Sequence, residues 1–248
     1  MTMQGVKAKK VKFSIVIPAY NEEKYITKCL DSILKASVPY KDQVEIIVVL
    51  NRCTDRTEEI ALLYGCIIVK EDSKNLSKIR NAGAKVAQGT ILVTIDADSW
   101  IADNMLAEIE SKLITGEYIG GGVVLKTERM SLGIMISAII LFSAIFIKHG
   151  LICGGLFWCL KKDFDAINGF DENLRIAEDI DFAIRLRQWG KKCGKKVTNI
   201  SKPRLMTSCR KFDIFGDWYV IKNPHIILDY LNLNKQKYAD KLYYDVKR

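Results

Sequence analysis

Three short polar segments carry the side chains of this chain best suited to chemistry: Pro18-Ala-Tyr-Asn-Glu22, Leu50-Asn-Arg-Cys-Thr54 and Asp96-Ala-Asp98. In the last, two carboxylates stand at i and i+2 at the end of a strand-like run, so they project to the same side. Asp96 and Asp98 can share a divalent cation, or one can hold the cation while the other holds a hydroxyl. Mg2+ keeps several waters and binds through one or two carboxylates plus substrate phosphates, so a short acidic pair is adequate. The plain alternative is a solvated acidic turn capping the next helix. A second cluster, Glu178, Asp179 and Asp181, precedes the apolar positions Ile180, Phe182, Ala183, Ile184 and Leu186. Acids at such a helix start are also favoured by capping and by the helix dipole alone. The only histidines are His149 and His225. That excludes a His-rich zinc site and leaves a catalytic metal on oxygen ligands, hence Mg2+ or Mn2+.

The elements that must position these residues alternate. Phe13 to Ile17 is a continuous apolar run ending in Pro18, and Val44 to Leu50 is a second one rich in β-branched residues; both suit strands buried on two faces. Cys66 to Val69 and Thr90 to Ile95 predict a third and a fourth strand. Between them, Asn21 is expected to open a helix carrying Ile26, Leu30, Ile33 and Leu34. Asp55 with Glu58 reads as a capping-box variant for a helix that stops at Gly65. Ser77 to Val86 is a third helix, and Met105, Leu106, Ile109 and Leu113 mark a fourth. Strands separated by single helices imply βαβ crossovers and a mainly parallel sheet. Ligands of such sheets sit beyond the carboxyl ends of the strands, which is where all three polar segments lie.

The chain has 248 residues, 49% of them apolar and 27% charged, with four prolines and a net charge of +9. At this size folding buries about three quarters of the unfolded surface, enough for a core without disulfides or a structural metal. Disorder and collagen-like repeats are excluded. Seven scattered cysteines with no CxxC pair argue for a reduced, cytosolic chain rather than a disulfide scaffold or zinc ribbon. The basic N-terminus runs straight into the first strand without a signal-peptide core.

The ordered motifs resemble family 2 glycosyltransferases of the GT-A fold. Pro18-Ala-Tyr-Asn-Glu-Glu23 after Ser14 to Ile17 is similar to that family's opening. Glu45 to Val49 followed by Thr54-Asp-Arg-Thr57 is similar to its second strand and helix start. Arg80-Asn-Ala-Gly83, Gly89 and Asp96-Ala-Asp98 resemble its path to the DxD motif, and Gly154-Gly155, Asn168 to Glu172 and Glu178 to Asp181 its acceptor-side segments. The resemblance spans about residues 12 to 190. It implies a GT-A, Rossmann-like α/β fold: a mainly parallel sheet flanked by helices, with a small antiparallel acceptor-side portion. The whole chain would be one domain, with a nucleotide-sugar-binding half over 12–115, an acceptor half over 116–210 and a helical tail over 211–248.

The same resemblance implies a nucleotide-sugar donor, a UDP- or GDP-sugar foremost, with its diphosphate held by Mn2+ or Mg2+ on Asp98 and with Asp96 near ribose or metal. Pro18, Ala19, Tyr20, Asn21, Glu22 and Asn51 would border the base. The family often has an acidic residue where Asn51 stands; as a neutral amide it either meets the base or is a turn residue. Arg80 would counter phosphate charge or form a surface salt bridge. Asp179 would serve as general base in an inverting single displacement, supported by Glu178 and Asp181. The family's Gln-x-x-Arg-Trp signature is absent, and Arg210 in Ser208-Cys-Arg-Lys211 is either a phosphate contact or solvated surface. Trp100 and Trp158 either stack on a sugar or belong to the core, and His225 is either a third metal ligand or structural.

Residues 130–147 carry no charge and just reach the length of a membrane span. A single crossing would put Asp98 and Asp179 on opposite sides of the bilayer, so a simple span is rejected. The segment is expected either in the core or at a dimer interface, or lying in the membrane plane beneath a lipid-linked acceptor. The net positive charge and the lysines of 235–248 favour an anionic surface weakly; a glycan acceptor without a membrane is also open. A peripheral position on the cytoplasmic face follows from the second choice. The competing classes are a nucleic-acid binder, for which no motif appears, a nucleotidyltransferase, whose Gly-rich loop is missing after the first strand, and a non-catalytic nucleotide-sugar-binding relative.

Overall fold

Alternate residues of the first strand go to opposite cores, and this builds the molecule around one sheet. The computed structural model describes residues 10–150 and 154–232. In chain order the elements are β1 (Phe13–Ala19), α1 (Ile26–Ser37), β2 (Val44–Leu50), α2 (Thr57–Leu63), β3 (Ile67–Lys70), α3 (Leu76–Val86), β4 (Ile91–Ile95), β5 (Ser99–Trp100) and α4 (Met105–Ile114). There follow β6 (Tyr118–Thr127), α5 (Leu132–His149), β7 (Leu156–Leu160), α6 (Lys161–Ala166), α7 (Glu178–Lys192), β8 (Lys196–Thr207), α8 (Arg210–Phe215), α9 (Tyr219–Lys222) and α10 (His225–Asn232).

The sheet has the order β3-β2-β1-β4-β7-β6-β8-β5. The first four run parallel, β7 runs antiparallel to β4 and β6, and β6 pairs with β8 in parallel. A parallel half is thus joined to a mixed half, as the sequence resemblance implied. Ile15, Ile17, Val48 and Leu50 pack on Ile26, Leu30 and Ile33 of α1 and on Met105, Leu106 and Ile109 of α4. Val16, Ile47 and Val49 face the other way, into a cluster with Ile79 of α3 and the aromatic group Phe157, Phe164, Phe170 and Phe182. A Cβ added at Gly83 would come within 2.4 Å of Val16 and 2.7 Å of Val49. Glycine there lets α3 lie close enough to the sheet to carry Arg80 under the strand ends.

The structure corrects several sequence expectations. Asn21 does not open a helix. It takes a left-handed conformation (φ 51°), and its Oδ1 accepts the Thr54 N–H at 2.8 Å, tying the turn after β1 to the turn after β2. α1 starts only at Ile26. The Asp55–Glu58 box is also not formed: Asp55 accepts from Thr57 N–H at 3.0 Å, while Glu58 pairs with Lys70 at 2.8 Å. Trp158 is fully buried and donates Nε1–H to the Gly122 carbonyl at 3.0 Å, so it is a core residue. Cys29, Cys53, Cys66, Cys159, Cys193 and Cys209 are free thiols; Cys153 lies outside the described residues, as do the N-terminal basic segment 1–9 and the tail 233–248.

α5 is not a core helix. Ser131 caps it by accepting the Ile134 N–H, and Gly150 (φ 65°) ends it. Only Gly133, Ile134, Ser137 and Ile145 of α5 are buried. Ile145 packs on Ile176, Ala177 and Ile180, at the start of α7, so α5 braces the second acidic cluster. Its outer face shows Met135, Ile139, Ile140, Phe146 and Ile147, the last 83% exposed.

Candidate active site

The turns after β1, β2 and β4 open into one cleft. Pro18, Ala19, Tyr20 and Glu22 come from the first turn, Asn51 from the second, and Asp96, Ala97 and Asp98 from the third. Leu76 and Ile79 of α3 and Arg210 and Lys211 of α8 close the remaining sides. Asp98 is held from α8 and from Ser208 two residues before it: its Oδ2 accepts the Ser208 hydroxyl and the Arg210 Nη2, each at 2.9 Å, and its carbonyl accepts the Ser208 N–H at 3.0 Å. The Arg210 guanidinium also forks onto Glu22, at 2.6 and 3.1 Å.

Arg80 is the second cation of the site and the more deeply placed, with 4% of its side chain exposed. One nitrogen donates to Asp96 Oδ1 at 2.9 Å and the other to Glu178 Oε1 at 2.8 Å. One guanidinium thus joins the acidic pair after β4 to the acidic cluster opening α7. Burial works against its charge, but Asp96 and then Glu178 and Asp179 more than offset that and hold it protonated. The Gly154-Gly155 segment lies between the two motifs. The Asp96 N–H meets the Gly155 carbonyl at 3.4 Å, and a Cβ at Gly154 would stand 3.7 Å from Asp179 Oδ2. Burial first, then the neighbouring Glu178 charge, push the Asp179 carboxyl up to about 7, against the pull of Arg80 and of the Ile180 N–H. Asp179 and Glu178 do not line the cleft itself but connect to Asp96 through Arg80; a carboxyl titrating near neutrality is suited to proton transfer.

The family description "Glycosyl transferase family 2" matches residues 14–155, more than half of the chain. The chain belongs to glycosyl transferase family 2. Among family relatives, Glycosyltransferase GlyA of Streptococcus pneumoniae is 31% identical over 108 residues, which are 42% of this chain and 15% of GlyA. The chain therefore spans a small part of the length of that relative. Among solved structures, Staphylococcus aureus TarS 1–349 in complex with UDP-GlcNAc superposes with a TM-score of 0.64 at 18% identity, covering 94% of this chain and 70% of that one. Mannosyltransferase PcManGT from Pyrobaculum calidifontis, in complex with GDP-Man and Mn2+, gives 0.62 at 18% identity, covering 92% and 69%. These likenesses show a shared fold.

Against the family's motifs, the structure gathers most expected side chains and leaves some outside. Asn51 lines the cleft and is also a turn residue: its Nδ2 donates to the Glu71 and Ser73 carbonyls at 2.5 and 2.9 Å, and its Oδ1 accepts Arg52 Nε–H at 3.2 Å. Arg80 is neither a surface salt bridge nor on the cleft wall; it works from behind Asp96. Arg210 is on the wall rather than in solvent. Asn21 does not line the cleft. Asp181 points elsewhere, paired with Arg185 at 2.7 Å, which in turn donates to the Ile167 and Gly169 carbonyls. Trp100 is covered by Lys28, whose Nζ stands 3.4 Å from the ring centre. The side chain of His225 lies outside the described residues. Sequence reasoning assigned no role to Ser208, Leu76 or Ile79. Nothing local marks them, because their partners are distant in sequence.

The donor set fits a divalent cation of the Mg2+ or Mn2+ type. Asp96 Oδ2 and Asp98 Oδ1 accept no hydrogen bond among the described residues and line the cleft. No group of three His, Cys, Asp or Glu is gathered among those residues. A cation there would take two protein carboxylates and complete its shell with water and phosphate, as Mg2+ does.

Proposed function

We propose that this chain transfers a sugar from a nucleoside-diphosphate sugar to an acceptor hydroxyl, with Mn2+ or Mg2+ assistance, in one inverting displacement. The observation that carries this reading is the shared cleft: the acidic pair after β4 lines it with the turns after β1 and β2, and Arg80 connects that pair to the acidic start of α7. The donors named for TarS and PcManGT support a nucleotide-sugar donor, and the Mn2+ of PcManGT supports a divalent ion.

In this reading residues 12–115 supply most of the donor site and 116–209 the acceptor side, while Arg210 and Lys211 at the start of α8 return to the donor. The cation, when bound, neutralises charge developing on the leaving diphosphate. Asp98 and Asp96 hold it, Arg210 and Lys211 face the phosphates, and the Pro18 to Glu22 turn borders the base. Asn51 has both amide hydrogens engaged on backbone carbonyls, so what it offers a base is Oδ1, an acceptor. It suits a base edge that presents an N–H donor. Asp179 removes the acceptor hydroxyl proton as that oxygen attacks the anomeric carbon; a product with the donor's anomeric configuration would contradict inversion.

The test is calorimetric titration with UDP, GDP, CDP and dTDP, with and without Mn2+. The expected result is Mn2+-dependent binding of one of the four, UDP or GDP foremost, and loss of the Mn2+ dependence in Asp98→Ala. Equal binding of all four without metal would contradict the reading.

The acceptor is proposed to be lipid-linked or a surface-polysaccharide precursor, reached from the cytoplasmic face of a membrane. α5 supports this: it is long and apolar enough to cross a membrane, yet only 22% of its length is buried in the fold. Lying flat, it would bury Ile139, Phe146 and Ile147 among acyl chains. Co-sedimentation with vesicles of anionic phospholipid is the check. The wild type is expected to pellet with the vesicles and Ile139→Glu/Ile147→Glu to stay in the supernatant. A wild type that stays in solution as a dimer would contradict membrane docking and make α5 a subunit contact.

A further inference from the structure

Five carboxylates surround the cleft and its back wall, from Glu22, Asp96, Asp98, Glu178 and Asp179, and two guanidiniums are set among them. Arg80 is enclosed by its partners. Arg210 differs: it lies on the cleft wall, 13% exposed, with one nitrogen shared between Glu22 at 3.1 Å and the Asp98 oxygen at 2.9 Å. It stands at the first position of α8, a six-residue helix that buries none of its side chains. The Tyr25 ring, 5.2 Å away, offers the guanidinium a second surface.

We propose that Arg210 is the resident counter-cation of Asp98, and that it gives up this place to the divalent ion only when a diphosphate arrives to receive the guanidinium. The inference rests on the reading of Asp98 as the metal-binding carboxylate. A divalent ion on Asp98 with Arg210 in place would set two cations against one carboxylate in a half-enclosed site, where their repulsion is weakly screened. An ion arriving alone must therefore strip a charge-assisted pair from Asp98, with nothing to receive the freed Nη2. A nucleoside diphosphate removes that obstacle. Its phosphates take the Arg210 Nη2 while Asp98 takes the ion and Nη1 stays on Glu22, so every charge in the cleft keeps an opposite neighbour. Metal and nucleotide are then expected to bind synergistically, and the chain without nucleotide is guarded against free cation.

The experiment measures bound Mn2+ from the resonance signal of the free ion, without nucleotide, for the wild type, Arg210→Met and Arg210→Lys, with thermal melting to establish that each is folded. Removing the guanidinium is expected to tighten Mn2+ binding about tenfold, within the usual range for coupling between two sites. Arg210→Lys, which cannot fork between two carboxylates, is expected to fall between the two and carries the test if the methionine variant does not fold. Adding UDP should strengthen Mn2+ binding more in the wild type than in Arg210→Met. Mn2+ affinity in either variant equal to or below that of the wild type would overturn the exchange while leaving the metal site standing. Asp98→Asn in the Arg210→Met background is expected to abolish the gain. Persistence of the gain, or no Mn2+ binding in any form with or without UDP, would instead overturn the reading of Asp98 on which the exchange depends.

Discussion

Asp179→Asn is expected to lower kcat about 100- to 10,000-fold, the range ordinarily lost with a general base, while nucleoside-diphosphate binding stays unchanged. Asparagine keeps the shape and can still accept the Ile180 N–H that Asp179 Oδ1 accepts at 2.8 Å. What it removes is the capacity to take a proton. The pH dependence gives the same test a second reading. Burial and the Glu178 charge set the Asp179 carboxyl at about 7, and a base must be deprotonated to act. Turnover of the wild type is therefore expected to rise with pH through about 7 and to level off above it. The low residual rate of the variant should lack that acid limb. Near-normal kcat in Asp179→Asn, or an acid limb retained in it, would remove Asp179 from the role.

Arg80→Met is expected to cost about 3–5 kcal/mol of stability, the usual consequence of removing one partner from a buried ion pair. The guanidinium is 4% exposed and Glu178 only 11%, so no water replaces it on that side, whereas Asp96 at 38% is partly solvated. Most of the loss should thus come from Glu178. Arg80→Met/Glu178→Gln is expected to recover a substantial part of it, because a neutral amide tolerates the site better than an unpaired carboxylate. Urea unfolding of the two variants measures this. A loss below about 1 kcal/mol for Arg80→Met would class the bridge with exposed salt bridges and remove it as the connection between the two acidic motifs.

What the sequence made legible followed from local pattern. β1, β2 and β4 stand out because strands buried on both faces must be continuously apolar, and the carboxylates after β4 stand out by type and spacing. The acidic cluster 178–181 was visible at its helix start, but not that Asp181 would turn to Arg185 while Glu178 turned to Arg80. The long strands β6 and β8 were not legible as strands. β8 carries Lys196, Asn199, Lys202, Pro203 and Arg204, and it is made a strand by pairing with β6 rather than by any periodicity of its own. The cations of the site were legible only as residue types: Arg80 meets a partner 98 positions away and Arg210 one 188 positions away. Segment 130–147 shows a different limit, since hydropathy reports an apolar helix but not whether the fold covers it. Here the fold covers one narrow side.

A crystal structure with Mn2+ and the nucleoside diphosphate that titration selects tests whether Asp98 and its neighbours form a metal and nucleotide-sugar site. Data collected at the manganese absorption edge locate the ion without reference to the protein. The expected result is an anomalous peak within coordination distance of an Asp98 oxygen, the diphosphate on the opposite side of that ion, and the base against Asn51 in the turn after β2. A nucleotide bound elsewhere, or one bound in the cleft with the manganese peak away from Asp98, would contradict it.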